Sequence, residues 1–215
     1  MVRKIVEAVP EDLLLSYLEK YRTQAIHLGA SDAKIIRSED VLIDERVQAK
    51  CSLPKCQNYG TNANCPPYAL RPDQTREILK KYRYGILYTF QAISEGFVGS
   101  YDVLSNREEV ARQRSLIFEI CSKLEAAAFY DGYYLALGFA GGSCRSVFCK
   151  DIECQVLQPG KGCRFPLKAR PSMEAVGIDV YKMCVRAGWD IYPCGASLSP
   201  EQVPFGRRVG LVIID

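Results

Sequence analysis

Histidine is almost missing from this chain of 215 residues: His27 is the only one. Metal sites built on imidazole are therefore nearly excluded, and any metal must be held mainly by other donors. His27 itself falls in the last turn of an amphipathic segment, where a cation suits the helix dipole and no metal role is needed. Long apolar runs are also missing. No stretch approaches the roughly 20 residues of a membrane span. The N-terminus, MVRKIVEAVPEDLLLSYLEK, puts charges inside what would have to be an apolar signal region. A soluble, cytoplasmic protein is the expectation. The net charge of +3 is too small to argue for a nucleic-acid partner. No P-loop, G-x-S-x-G or H-E-x-x-H is present, which leaves ATPase and common hydrolase readings without support. GFAGGSC does not open a helix with an acidic residue beyond it, so it does not read as a dinucleotide fingerprint.

What the chain has in excess is cysteine, ten residues in all. At this length a sizeable core is available without cross-links, and disulfides are rare in a reducing compartment, so thiolate metal or redox chemistry is the better reading. Seven of the ten fall into two sets. Cys51, Cys56 and Cys65 follow C-x4-C-x8-C, and so do Cys149, Cys154 and Cys163. Cys144 extends the second set to C-x4-C-x4-C-x8-C. Zinc knuckles are usually tighter, although C-x4-C lies at the edge of the zinc range. An iron–sulfur cluster spreads its ligands over separate irons, so wider gaps suit it, and a proline after a ligand, as in Cys65-Pro66, matches the C-P ending of ferredoxin runs. Glycines near the second set let backbone pass close to a bulky anionic cofactor.

The pattern predicts one or two clusters, of [4Fe-4S] type, with zinc as the alternative. Three cysteines leave the first set one ligand short. Cys194, in YPCG, is a possible extra ligand; a cysteine of the other set could cross over; or one iron stays open to substrate. The last option separates an enzyme from an electron carrier. Cys121 and Cys184 lie on apolar helix faces and read as core residues. Arg164, Lys168 and Arg170 follow the last cysteine and form a candidate docking face for an acidic redox partner or an anion. Tyr59 and Tyr68 flank the first set, as shields or as packing residues.

Periodicity predicts helices over 11–28, 72–81 and about 107–129, the last capped by Asn106, and a helix from a Ser172 cap to about Ala187. Strands are expected over Ala33–Arg37, Val41–Ile43, Gly85–Ile93, Tyr133–Phe139 and Arg208–Ile214. This alternation predicts an α/β fold (α+β being possible), with helices layered on a mixed sheet and metal loops at 51–71 and 141–171 in a single domain, 1–215.

Two segments carry a family resemblance. DERVQAKCSLPKCQNYGTNANCPP, and CR-x-P-x3-RPSMEA-x-GIDV after GGSC, resemble a family of predicted metal-binding proteins of archaea and anaerobic bacteria, domain of unknown function 2284. The likeness runs from about Ala33 to the final strand. It implies that Cys51, Cys56, Cys65, Cys144, Cys149, Cys154 and Cys163 are the ligands, and it implies no reaction.

Overall fold

A computed structural model describes residues 2–98 and 106–215. Its helices are α1 (Glu11–His27), α2 (Glu45–Ala49), α3 (Pro72–Leu79), α4 (Arg107–Tyr130), α5 (Cys144–Phe148) and α6 (Val180–Arg186). Its strands are β1 (Asp32–Arg37), β2 (Tyr84–Ala92), β3 (Leu137–Phe139) and β4 (Gly206–Ile213), which form one sheet in the order β1-β2-β4-β3. Every neighbouring pair is antiparallel. The expected mixed sheet is therefore corrected to an antiparallel one, and the fold is α+β.

Both faces of the sheet are covered, which is why β2 is an almost unbroken apolar run. Ile86, Tyr88 and Phe90 turn to one side, where they pack with α1 and α4. Leu87 turns to the other, with Leu211 and Ile213 of β4 and with Met183 and Cys184 of α6. Helix α1 contributes Leu14, Leu18, Tyr21 and Ala25, all fully buried, the face that its 3.6-residue period predicted. Cys121 and Cys184 are likewise fully buried, consistent with their reading as core residues. Desolvation pushes both thiols up to about 12. His27 is exposed at the end of α1.

Gly210 permits the closest approach in this core. It lies opposite Tyr88 in the β2–β4 register, and the tyrosine folds over it to donate its hydroxyl to Ile117 O at 3.0 Å. A Cβ at Gly210 would stand 2.2 Å from that hydroxyl oxygen. Gly210→Ala is expected to destabilise the protein by about 1–3 kcal/mol through overpacking of a central strand. Urea unfolding checks this, and an unchanged midpoint would mean that Tyr88 leaves the pocket at no cost.

Four local expectations are corrected. Val41–Ile43 is not a strand: Ser38–Asp40 forms a 3-10 turn and only Ile43 bridges, to Ile178. The third strand starts at Leu137, because Tyr133 and Ala136 are held in turns at the end of α4. Asn106 sits at the α4 N-cap position, but its side-chain amide donates to Glu95 at 2.9 Å rather than capping the helix. The helix expected from Ser172 breaks at Gly177, whose φ of 88° no continuing helix adopts. Pro72 packs against that glycine where a Cβ would lie 2.9 Å or less from its ring. A 3-10 turn, Glu174–Val176, precedes the break, and α6 restarts from Asp179, whose carboxylate accepts from Lys182 N.

Candidate metal centre

The interrupted segment 172–179 buttresses both cysteine loops. At the second loop, Ala140 N donates to Pro171 O (2.9 Å) and Met173 N donates back to Ala140 O (3.0 Å), so 141–171 is pinched closed at its base. At the first, Asp44 N donates to Gly177 O (2.9 Å) and Asp179 N to Leu42 O (2.8 Å). The Gln48 amide then joins Leu70 O (3.0 Å) to Ala175 O (2.6 Å) across the ends of the loop. A continuous helix here would have used those backbone groups internally.

Within the second loop, Cys144 opens α5 and Cys149 follows it, with Cys149 N donating to Arg145 O. Phe148 stacks on Phe165 at 5.3 Å and meets Phe118 of α4 edge-on at 5.3 Å, which fastens both arms of the loop to the core. The far arm is held by Arg170, which pairs through two nitrogens with Glu125 of α4 (2.5 and 2.8 Å) and donates to Pro166 O and Ala169 O. Of the three cations expected to dock a partner, Arg170 is thus engaged inside the molecule. Arg164 donates one nitrogen to Glu153 O but stays exposed, as does Lys168.

All four cysteines of the second set, Cys144, Cys149, Cys154 and Cys163, line one cavity of about 300 Å³. Among the described residues, no three Cys, His, Asp or Glu side chains gather tightly enough to grip one ion. The four sulfurs instead surround a space far larger than the about 10–15 Å³ that holds a single water. Phe148, Phe165 and Val156 supply apolar wall, and Asn64 and Arg145 supply polar wall. The cysteines are the only metal-ligating side chains among the described residues that line the cavity.

The first set packs directly against the second. Asn62, almost wholly buried, has its amide nitrogen 3.3 Å from Ser143 Oγ and its carbonyl oxygen accepting from Asn64 N. Asn64 Nδ2 lies 3.4 Å from Cys144 Sγ, and Cys65 Sγ lies 3.6 Å from Ser143 Oγ. Cys65 and Cys144 are buried, Cys51 is half-buried and Cys56 is exposed. Burial first, then the nearby Cys56 and Cys65 thiols, pushes Cys51 up to about 11. Burial does the same to Cys144, also about 11, with Cys65, Cys154 and Cys163 adding to it against a lowering by Asn64. Burial likewise raises Cys65, opposed by its hydrogen bonds to Asn62 and Ser143. These thiols are neutral without a metal, so loading one must release protons. Two backbone amides already point at sulfur: Asn58 N at Cys56 Sγ (3.5 Å) and Phe165 N at Cys163 Sγ (3.3 Å). Amides so placed are the kind of donor that tunes a sulfur-ligated centre.

Cys194 stands in a separate loop, its Sγ 3.3 Å from Tyr192 O, with Tyr181 as a neighbour. Tyr59 lies under Lys55 Nζ at 5.8 Å, and Tyr68 is exposed. Sequence reasoning missed the structural roles of Asn62, Ser143, Glu125 and Arg145. Their only local signal was a place one to three residues from a cysteine, and Glu125 lacked even that. Among the described residues no helix is long and apolar enough to cross a membrane.

A family model described as a predicted metal-binding protein (DUF2284) covers residues 34–213. No curated protein and no solved structure matches the chain.

Proposed function

The chain belongs to this family of predicted metal-binding proteins, and from that premise we propose that it binds an iron–sulfur cluster of [4Fe-4S] type and serves as an electron-transfer module. The observation that carries the reading is the convergence of Cys144, Cys149, Cys154 and Cys163 on one cavity of about 300 Å³. Four thiolates spread around such a space suit a cluster, whose irons each take one ligand, better than a zinc ion, which draws four donors to a single point. The cluster would supply reversible one-electron chemistry. This chain's residues would hold it, exclude water with Phe148 and Phe165, and donate Phe165 N–H to one ligand sulfur.

A second centre at Cys51, Cys56 and Cys65 is the natural extension of the repeated spacing. With three cysteines and Cys56 exposed, that centre would leave an iron open, which favours reductive or sulfur-transfer chemistry as the second reading. The redox partner would be a protein presenting acidic groups to Arg164 and Lys168, in a reducing, cytoplasmic setting. Iron, zinc and acid-labile sulfide measured on anaerobically purified protein, with electron paramagnetic resonance of the reduced form, test the proposal. Iron and sulfide in equal amounts with a cluster signal are expected. Stoichiometric zinc with no sulfide would sink it.

A further inference from the structure

The cavity around the four sulfurs of the second set is walled in part by the first loop. Asn62, Ala63 and Asn64 line it, although all three lead into Cys65 of the other set. Asn62 is 1% exposed, and its amide nitrogen lies 3.3 Å from Ser143 Oγ, next to Cys144. Its carbonyl oxygen accepts from Asn64 N at 3.1 Å and closes a turn over residues 62–64. A buried amide is costly to leave unpaired, so this turn is secure only while the two loops stay docked.

The turn presents the Asn64 side chain to the cavity, where its Nδ2 stands 3.4 Å from Cys144 Sγ. Among the described residues that nitrogen donates nowhere else. Asn62 already shapes the turn, so the Asn64 amide is left for the sulfur. A donor aimed at a ligand sulfur has two effects. It offsets charge on the sulfur, which favours the more reduced state of a bound centre and raises its potential. It also fixes the direction of the ligand, and partners of this outer kind are commonly worth about 10–100-fold in metal affinity. The other N–H groups that face sulfurs here, Asn58 N and Phe165 N, are backbone amides close in sequence to their own cysteines. Asn64 supplies its donor from a side chain and from the opposite loop.

We propose that Asn64 is a positioning residue of the centre held by Cys144, Cys149, Cys154 and Cys163, lent by the first loop to the second and tuning that centre through Cys144 Sγ. The inference rests on the reading of those four cysteines as metal ligands. A change that moves residues 62–64 then reaches the second centre through this one bond.

The test uses the full chain, purified anaerobically and assayed for iron, sulfide and zinc, with a redox titration followed by electron paramagnetic resonance. Asn64→Ala removes the amide, and Asn64→Asp keeps its shape but exchanges the donor for an acceptor. In Asn64→Ala the midpoint potential should fall by about tenfold in the reduction equilibrium, about 59 mV for one electron. Asn64→Asp should lower it further, whereas a purely steric role would leave it at the wild-type value. Ser146→Ala is the control. Ser146 Oγ meets Asn58 Oδ1 at 3.5 Å between the same two loops, outside the lining of the cysteine cavity, and its loss should leave the potential unchanged. Retention against EDTA gives a second readout that any metal allows, and both Asn64 variants should lose metal at about tenfold less chelator. Zinc in place of iron and sulfide would end the cluster reading and leave this one to the chelator measurement. Asn64→Ala that folds, by circular dichroism, yet takes up no metal is the extreme of the expected loss; if it does not fold, Asn64→Asp decides. Wild-type potential and retention in the Asn64 variants, or an equal shift in Ser146→Ala, would overturn the proposal. Wild-type protein that holds no metal would overturn both readings.

Discussion

Replacing Cys149 by alanine is expected to remove one cluster's worth of iron and sulfide from the protein. Cys149 follows α5 directly and is one of four sulfurs around a common cavity. If each sulfur holds a separate iron, loss of one leaves a corner open to solvent and hydrolysis, and the remaining three cannot close around the space. Because the loop between Ala140 and Ser172 has little core of its own, the metal would supply much of its order. The variant should therefore also become sensitive to trypsin at Lys150 and Lys161, within that loop. Cys121→Ala, in the core and outside the lining of the cysteine cavity, is the control that should keep its full metal content. Elemental analysis and the resonance spectrum read the result. Unchanged iron and sulfide in Cys149→Ala would remove that residue from the ligand set and the cavity from the proposal.

Glu125→Ala should cost about 3–5 kcal/mol of stability, the penalty for leaving one member of a buried pair without its counter-charge. The Glu125 and Arg170 side chains are 18% and 17% exposed, so solvent screens them weakly. The carboxylate accepts from both Arg170 nitrogens and from Gly138 N at 2.7 Å, and so ties α4, β3 and the far arm of the second loop to one point. Out of a total of roughly 5–15 kcal/mol for a domain, this is a large share. Urea unfolding of the variant and of Glu125→Ala/Arg170→Met separates the causes. The double variant should recover much of the loss, since it no longer buries an unpaired guanidinium. A loss under about 1 kcal/mol in the single variant would put the pair in the class of surface salt bridges.

The long elements were legible because their signals are local. The helix over 11–28, the strand from 85 and the long helix from 107 rest on apolar spacing and on glycine stops, and the structure moves their ends by only one or two residues. The failures have named causes. Helical periodicity over 172–187 is real, but Pro72, distant in sequence, packs where a residue at 177 would need a side chain, and Gly177 takes a left-handed turn there. Strand direction misled for a related reason. Alternation of helices and strands suggests parallel pairing, whereas β4 enters between β2 and β3 antiparallel to both.

The sequence by itself named the candidate donors. Ten cysteines against one histidine, with seven of the cysteines in two similarly spaced sets, point to thiolate rather than imidazole whatever the fold does. Only the tertiary structure decided which sulfurs share a space, because convergence depends on contacts between residues far apart in the chain. Asn62 meets Ser143, Asn64 meets Cys144, and Glu125 meets Arg170.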